Sequence, residues 1–521
     1  MPRLFRGKRG RTLPSSTVRH SDVRWVVRAM VCLLVASNVS VATAFDLSDV
    51  AKRARALAAE PFVEPDRIPR WLLDLDYNAW RGIRFRPEYA LWRSRNLAFE
   101  VQFFHPGLYY DRAVAINVVD ADGIRPVAFN PSMFDYDVGD IGSRVPQNLG
   151  FAGFRLHYPI KRRDYKDEVI VFLGATYFRA VGRDQGFGAS MRALAIDTGL
   201  PSGEEFPFFR EFWLVRPTST ADAMAIYALS DSLRTTGAFR FVVTPGTQTV
   251  VQVDARIYLR EPVVKLGLAP VTSMFLHGEN TTRCVADFRP EVHDSDGMLL
   301  HLADQEWLWR PLDNPERLSI NSFLASDPKG FGLLQRDREF DHYQDLETRP
   351  ELRPSVWIVP ATHWGDGHVE VLEIPSDQDY NDNMVVFWVP ERADDDTRAI
   401  EASYSVYWYG DDDTRPSQAR VVSTRRQPGT KDGRLRFVVD FEGARLAQLE
   451  PATVLRAVIT VASGKDSGEI VERHVVKNPV TGGWRMSFEL KPESGDPIEL
   501  RAFLDLGGNA LTETWTYTVE P

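Results

Sequence analysis

Cysteine is nearly absent from this 521-residue chain, which contains two. Cys32 lies in an N-terminal segment with the pattern of a signal peptide, so Cys284 would be left alone in the mature chain. An intrachain disulfide is therefore excluded there, even in an oxidising compartment. A buried structural cysteine is the favoured interpretation of Cys284, with a catalytic thiol as the alternative.

Long hydrophobic runs are also missing, apart from residues 29–41. Basic residues precede this run, and Ala42-Thr43-Ala44 follows it as a small-x-small cleavage pattern. The order predicts a secretory signal peptide cleaved after Ala44, with no membrane insertion of the mature chain, because the run is too short and too polar to span a bilayer stably. There is no clean twin-arginine motif, so the export route stays open.

Positive charge is scarce once the signal segment is removed. The segment takes eight basic residues from 62 and one acidic residue from 72, which leaves 54 against 71 and a net charge of −17. Nucleic acids and anionic lipid surfaces attract basic proteins. The composition therefore excludes a nucleic-acid partner and argues for a secreted globular protein.

The motifs of several large enzyme classes are absent. The chain has no Walker A loop, no dinucleotide-binding glycine fingerprint, no Gly-x-Ser-x-Gly elbow and no His-Glu-x-x-His helix. Its ten histidines lack metal-ligand spacing. Residues 294–297 (DSDG) suggest calcium, but the glycine comes too early for an EF-hand loop and no glutamate follows in place. We predict no cofactor and no metal.

What is present is mostly strand pattern. One amphipathic helix is predicted over 45–60, followed by runs rich in β-branched and aromatic residues such as 249–259. Strands and helices do not alternate, so a parallel α/β sheet is disfavoured. We predict an all-β protein: a large β-sandwich over 45–390, a linker over 391–399 and an immunoglobulin-like sandwich over 400–521.

Two compact acidic turns are the candidate chemical features. Asp377, Asp379 and Asp382 crowd a turn before the apolar run 384–389. Three acids in six positions are more than a turn requires, and like charges raise the pKa of one of them. The segment is a candidate acid site, with a solvated turn as the alternative. The second turn contains Glu291, Asp294 and Asp296.

Aromatic residues close to the second turn suggest carbohydrate. Trp307 and Trp309 alternate on a predicted strand and therefore share a face. Core packing is the common outcome for such a pair, and a stacking platform for sugar rings is the alternative. Arg353 and Trp364 could line the same groove as the acids. Two acids flanking a scissile bond are the requirement of glycoside hydrolysis, and inverting enzymes hold them roughly 6.5–9.5 Å apart.

The chain carries a series of longer motifs in a fixed order. They are LGFAGF at 149–154, LGATYFR at 173–179, LPSGEEFP at 200–207, EFW at 211–213, RPE at 289–291 with HD at 293–294, EW at 306–307 with WRPL at 309–312, FGLLQR at 331–336, NDN at 381–383 and NPVT at 478–481. In these motifs the chain resembles the periplasmic glucans biosynthesis protein G/D family, from Phe45 to about Tyr517. The resemblance implies that the large N-terminal β-sandwich has a long substrate cleft. It also implies a role in making osmoregulated periplasmic glucans, with the β-1,2-glucan backbone as substrate and other periplasmic glucan-synthesis proteins as further partners.

The resemblance also implies an inverting endo-β-1,2-glucanase site. Its general acid would be Asp382, which acts through a substrate hydroxyl. Its second essential acid would be Asp294, and the attacking water would be activated through a proton relay. Two positions depart from the family pattern: Asp379 replaces a longer Glu of the relay, and Pro350 replaces a Tyr. Poor water activation would favour a cyclising or branching transglycosylase, and a non-catalytic glucan-binding scaffold is the third hypothesis.

Overall fold

The structure is a computed structural model that describes residues 45–137, 139–281, 286–391, 399–412, 414–431, 433–462 and 467–520. The predicted signal peptide, Cys284 and residues 392–398 of the predicted linker lie outside the described residues. From Asp46 onward the chain forms one compact unit. None of the described helices has the length and apolar character needed to cross a membrane.

The predicted N-terminal helix is confirmed as α1, Leu47–Ala58. Asp46 caps it, accepting a hydrogen bond from the Ser48 amide while Asp49 accepts one from the Asp46 amide. The buried face carries Val50 and Ala54. The described residues form five further short helices: α2 Arg70–Leu73, α3 Tyr77–Arg81, α4 Ile141–Arg144, α5 Phe340–Tyr343 and α6 Ala444–Ala447.

Strands make up most of the described chain, which confirms the predicted all-β class. They are β1 Ile83–Phe85, β2 Glu100–Phe104, β3 Ala115–Asp120, β4 Gly123–Pro126, β5 Phe134–Tyr136, β6 Gly153–Tyr158, β7 Asp167–Leu173, β8 Tyr177–Ala180, β9 Ser190–Arg192, β10 Leu194–Ile196, β11 Phe208–Val215, β12 Met224–Asp231, β13 Thr235–Thr244, β14 Thr249–Leu259, β15 Leu266–Ser273, β16 Phe275–His277, β17 Val292–His293, β18 Gly297–His301, β19 Trp307–Pro311, β20 Ser319–Ser326, β21 Gly330–Leu334, β22 Ser355–Pro360, β23 Asp366–Glu373, β24 Met384–Pro390, β25 Ile400–Tyr409, β26 Arg420–Pro428, β27 Leu435–Glu442, β28 Arg456–Val461, β29 Gly468–Lys477, β30 Trp484–Pro492, β31 Ile498–Leu506, β32 Asn509–Ala510 and β33 Thr514–Val519.

Two large sheets and one smaller sheet contain most of these strands. The first large sheet has the order β2-β6-β7-β8-β9-β15-β24-β23-β20, with β10 beside β15. The second has the order β28-β31-β33-β19-β18-β21-β22-β25-β14-β13-β12-β11-β3-β4, with β32 beside β31. The smaller sheet is β26-β27-β30-β29, and β1-β5 and β16-β17 form two-stranded sheets. Among the described strands, β3 with β11 and β19 with β33 pair in parallel, and the other pairs are antiparallel.

Aromatic rings from the two large sheets meet in a shared core. Phe172 of β7 lies 5.7 Å from Phe212 of β11 and 5.2 Å from Phe241 of β13, measured between ring centroids. Phe178 of β8 lies 6.0 Å from Trp408 of β25. Edge-to-face pairs of this kind stabilise a core beyond their buried area. This core therefore holds the first large sheet, which carries the acidic turn 373–383, against the second large sheet.

The first strand after the predicted linker belongs to the second large sheet. β25 pairs with β14 on one side and with β22 on the other. The parallel pair β19–β33 then joins this sheet to the last strand of the chain. The division into domains at residue 390 stays a prediction, and the strand pairing adds that the segments before and after it share one hydrogen-bonded sheet.

Candidate active site

Asn383 anchors the turn that presents Asp382 to solvent. Its side chain is buried, accepts a hydrogen bond from the Phe275 amide at 2.9 Å, and donates to the carbonyls of Phe275 and Ile374, each at 3.0 Å. These bonds tie the start of β24 to β16 and to the end of β23. The neighbouring Asp382 is therefore held in one place although it lies in a polar turn.

We expect Asn383→Ala to lower the free energy of unfolding by about 2–4 kcal/mol, because a buried amide and two carbonyls would lose their partners. Urea denaturation measures the change. The matched control is Asn381→Ala, since the Asn381 amide is exposed and donates to the Ser376 hydroxyl at 3.2 Å. Equal losses for the two variants would contradict the anchoring role.

Asp382 precedes Asn383 in the acidic turn and has a raised pKa. Part of its side chain is open to solvent, yet protein packed around the carboxyl removes water from it, and this desolvation raises its pKa above the ordinary value. The Thr272 hydroxyl, which donates to Asp382 Oδ2 at 3.3 Å, opposes this rise, as do the charges of Arg179, Arg192 and Arg353. The net result favours the protonated form at a higher pH than for a free aspartic acid.

Asp294 and Arg353 form a buried ion pair beside this acid. Arg353 contacts Asp294 through Nη1, with side-chain exposures of 13% and 11%. The Asp294 amide donates to the Met274 carbonyl at 2.8 Å, which holds the second acidic turn against the end of β15. Burial lowers the pKa of Arg353 to about 10, while Asp379 and Asp382 act to raise it. Arg353 thus contacts Asp294 and lies within electrostatic reach of Asp379 and Asp382. The catalytic roles of these residues stay predictions.

Asp379 is engaged in an ion pair. Arg289 Nη2 lies 2.9 Å from Asp379 Oδ2, and the same guanidinium reaches Asp287 at 2.7 Å and Asp345 at 3.2 Å. The three carboxylates raise the pKa of Arg289, with Asp287 contributing most. The ion pair with Arg289 fixes the orientation of the Asp379 carboxylate. Asp379 is also the position at which the sequence has a shorter side chain than the Glu of the family pattern.

The loop with Pro350 also reaches the site. Residues 350–352 form a 3₁₀ turn entered through Arg349, which has a left-handed backbone (φ 49°). The turn places Arg353 at its end, and the Pro350 carbonyl accepts from Gln335 Nε2 at 3.2 Å. Proline lacks a side-chain donor, so at this position the loop contributes backbone contacts and shape.

His293 links the segments of the site from behind. Its Nε2 lies 2.9 Å from Glu291 Oε2, its Nδ1 lies 3.1 Å from Gln335 Oε1, and its ring stacks on Phe275 at 5.2 Å. Burial alone would lower the pKa of His293, but Glu291 and Asp296 outweigh burial and raise it to about 9. The imidazolium therefore connects three parts of the site. It lies in the turn of Asp294, it packs on β16, to which Asn383 is hydrogen-bonded, and it reaches the Pro350 loop through Gln335.

One group of described residues could hold a metal ion. Ligand atoms of Glu291, Asp337 and His342 lie within 4.8 Å of one another. Glu291 already pairs with His293, and His342 Nδ1 lies 2.5 Å from Asp337 Oδ2. These contacts within the protein account for the cluster, and no metal chemistry follows from it.

The tryptophans proposed as sugar platforms are buried. Trp307 stacks on His301 at 3.8 Å, and Trp309 lies under the Arg336 guanidinium at 3.5 Å. Both indoles are buried, at 6% and 3% exposure, in a core shared with the C-terminal strands. A stacking platform needs an open ring face, so the core-packing alternative describes this pair.

Trp364 is separated from the acids by the length of a hairpin. Its indole packs on Trp388 and Tyr404 at 6.0 Å from each. In the β23–β24 pair, Gly367 faces Pro390 at one end and Glu373 faces Met384 at the other. Trp364 lies just before the Gly367 end of this pair, and Asp382 lies just before Met384 at the other end. At strand spacing the two ends are roughly 20 Å apart. Trp364 is thus a half-buried residue that packs against the core at a distance from Asp382.

Sequence reasoning missed the residues that adjust Asp382 and support it. These residues are Arg179 on β8, Thr272 on β15 and Asn383 at the end of the NDN motif. Their sequence neighbours alone do not mark them as site residues. Arg179, Gln335 and Asn383 each lie within a motif that carries the family resemblance, at 173–179, 331–336 and 381–383. That signal could have found them, since a polar residue inside a long motif is a candidate for a site.

Glu373, at the base of the acidic turn, predicts a pH-dependent stability. Burial raises its pKa from 4.5 to about 7, although Arg310 opposes this rise and its carboxylate accepts from the Asp313 amide at 2.9 Å. A raised acid pKa means that the folded state binds the proton more tightly. Its contribution to stability is full below pH 4.5 and is lost as pH rises through 7.

We therefore expect Glu373→Gln to gain stability over wild type as pH rises from 4.5 to above 7, by on the order of 1–3 kcal/mol. Glutamine keeps the acceptor for the Asp313 amide but does not titrate. Thermal unfolding of both proteins across this range measures the difference. A difference that does not change with pH would contradict the assignment.

The comparisons with known proteins agree with these motifs. The family model described as periplasmic glucan biosynthesis protein, MdoG, matches residues 45–519. Glucans biosynthesis protein G of Ralstonia nicotianae (strain ATCC BAA-1114 / GMI1000) is 48% identical over 506 residues, covering 95% of this chain and 100% of the relative. Glucans biosynthesis protein G of Sodalis glossinidius (strain morsitans) is 43% identical over 510 residues, covering 95% and 97%. The resemblance seen in the sequence is confirmed: the chain belongs to the periplasmic glucan biosynthesis protein family.

Proposed function

We propose that this protein is an inverting endo-β-1,2-glucanase that acts in the periplasm on the glucan backbone. Membership of the family gives a role in glucan biosynthesis and makes glucan the substrate. The observation that carries the activity is Asp382, a solvent-facing acid with a raised pKa, beside the buried Asp294–Arg353 pair. Two carboxyl groups in different surroundings are the arrangement that acid–base hydrolysis needs.

The proposed reaction divides the proton transfers between these acids. Asp382 gives its proton, through a substrate hydroxyl, to the glycosidic oxygen that leaves. Water attacks the anomeric carbon from the opposite face, and its proton passes through a relay to Asp294. One C–O bond breaks, one C–O bond forms and the anomeric configuration inverts. Arg353 holds the Asp294 carboxylate in place for the relay.

Transglycosylation is the second candidate, and Asp379 favours it. Its side chain is short and its carboxylate is paired with Arg289 at 2.9 Å, so it is a poor acceptor for a proton from the attacking water. A sugar hydroxyl would then replace water as the acceptor, which yields cyclic or branched products. A glucan-binding scaffold for other periplasmic proteins is the third candidate, and it requires no bond cleavage.

Incubation of the purified mature chain with linear β-1,2-glucan separates the three. Shorter chains with new reducing ends, seen by mass spectrometry, support hydrolysis. Products of unchanged length without a reducing end support cyclisation and overturn the hydrolase. An unchanged polymer at high protein concentration, with binding retained, supports the scaffold and overturns both enzyme proposals.

A further inference from the structure

An aromatic pocket lies next to the acid site and has no part in the chemistry proposed so far. Its volume is about 250 Å³. One wall is the segment Tyr109–Arg112, a second is the turn at Gly174 and Ala175, and a third is formed by Phe206, Phe208 and Phe209. We call these residues the aromatic pocket. Its lining combines ring faces with one carboxylate and one guanidinium.

Two of its rings are open to solvent. Tyr109 is 81% exposed and Phe206 is 50% exposed, while Phe208 behind them is buried. The Arg112 guanidinium lies 4.8 Å from the Phe208 ring and pairs with Asp111 at 2.8 Å. Exposed rings beside hydrogen-bonding groups match the two sides of a sugar, since ring C–H faces pack on aromatics and hydroxyls bind charged groups.

The pocket continues beyond Phe206 into a second depression. This depression has a volume of about 260 Å³ and includes Phe62, Glu64 and Leu233. The two share Arg112, Phe206 and Phe208. The two depressions therefore lie side by side at the surface, an arrangement that offers neighbouring positions to consecutive units of a polymer.

Arginine side chains connect the aromatic pocket with Asp382. The Arg192 guanidinium lies 5.5 Å from the Phe206 ring and 5.7 Å from the Tyr177 ring, and its charge acts on Asp382. Arg179 acts on both Asp382 and Tyr110 of the pocket. The strand pairing supplies the same link: Ser190, two residues before Arg192 on β9, pairs with Thr272, whose hydroxyl donates to Asp382 at 3.3 Å. The pocket is therefore within a short polymer length of the acid.

We propose that the aromatic pocket is a distal subsite that binds glucosyl units of the same glucan chain whose reacting bond lies at Asp382. The inference rests on the proposed function for its substrate, and it adds where the chain runs. It also gives a role to Phe206, which lies in the LPSGEEFP motif at 200–207. In that motif Glu204 pairs with Arg192, so the motif holds the arginine that spans pocket and acid site.

The test combines Tyr109→Ala with Phe206→Ala. We expect the double variant to bind long linear β-1,2-glucan about tenfold more weakly, because it removes both exposed ring faces on which sugar rings would stack. Oligosaccharides too short to reach from Asp382 to the pocket should bind equally to both proteins. The matched control is Tyr165→Ala, an aromatic residue with 63% exposure that lies at the opposite end of β7 from Gly174.

Calorimetry in an Asp382→Asn background keeps this inference separate from the proposed function. Weaker binding of long glucan alone supports the subsite, even if the wild-type protein forms no product. Equal loss for short and long glucans, or no loss for either, overturns the subsite and leaves the activity to be judged by its own products. The subsite is also overturned if a linear β-1,4-glucan binds as tightly as the β-1,2-glucan and loses as much affinity in the double variant.

Discussion

Replacing Asp382 with asparagine should lower the rate of glucan cleavage by about a thousandfold. Asparagine has nearly the same shape but cannot donate the proton that the leaving oxygen needs, and general acid catalysis contributes 10²–10⁴-fold. The fold should survive, because Asp382 faces solvent and its hydrogen bond to Thr272 is long, at 3.3 Å. New reducing ends measure the rate, and thermal unfolding checks the fold.

Asp377→Asn is the matched control for this loss, since Asp377 is an exposed acid in the same turn. It should keep the wild-type rate. The wild-type rate should also fall as pH rises through the raised pKa of Asp382, because only the protonated form donates. A rate for Asp382→Asn above a tenth of wild type would show that another group is the donor.

The sequence predicted the fold class well because strand patterns are local. Period-two alternation and β-branched residues mark each strand, and the capping box at Asp46 marks the start of α1. Sheet order is not local. The pairing of β25 with β14 joins residues about 150 apart in the sequence, and its pairing with β22 joins residues about 50 apart. No pattern within these strands encodes the choice of partner.

The tryptophans show the same limit at the level of one side chain. Alternation correctly places Trp307 and Trp309 on strand β19, but it cannot tell which element covers that strand. The C-terminal strands cover it, so both rings are core. For Trp364, the hairpin register of β23 and β24 decides the distance from Asp382, and register depends on partners far along the chain.

The acids were found because their turns are dense in charge, but their roles needed the surrounding protein. Asp377 and Asp382 look alike in sequence, and the pKa is raised for Asp382 by the protein atoms and side chains packed around it. Asp294 and Arg353 are 59 positions apart in the sequence. Their contact depends on the Asp294 amide bonding to Met274 and on the turn at Pro350. Such convergence of loops follows from tertiary packing.

Replacing Asp294 with asparagine should cost stability as well as activity, which distinguishes it from Asp382→Asn. Cleavage should fall by about 10²–10⁴-fold through loss of the proton acceptor. The variant also leaves the Arg353 guanidinium buried without its carboxylate, and breaking a buried pair from one side costs about 3 kcal/mol or more.

The double variant Asp294→Asn with Arg353→Gln separates the two losses. Without the buried charge, most of the stability should return, because an uncompensated guanidinium is what destabilises the single variant. Activity should stay lost, since the proton acceptor is still missing. Urea denaturation and reducing-end release measure the two properties on the same samples. If the double variant regains cleavage, or if Asp294→Asn is as stable as wild type, then Asp294 is not a base held by a buried cation.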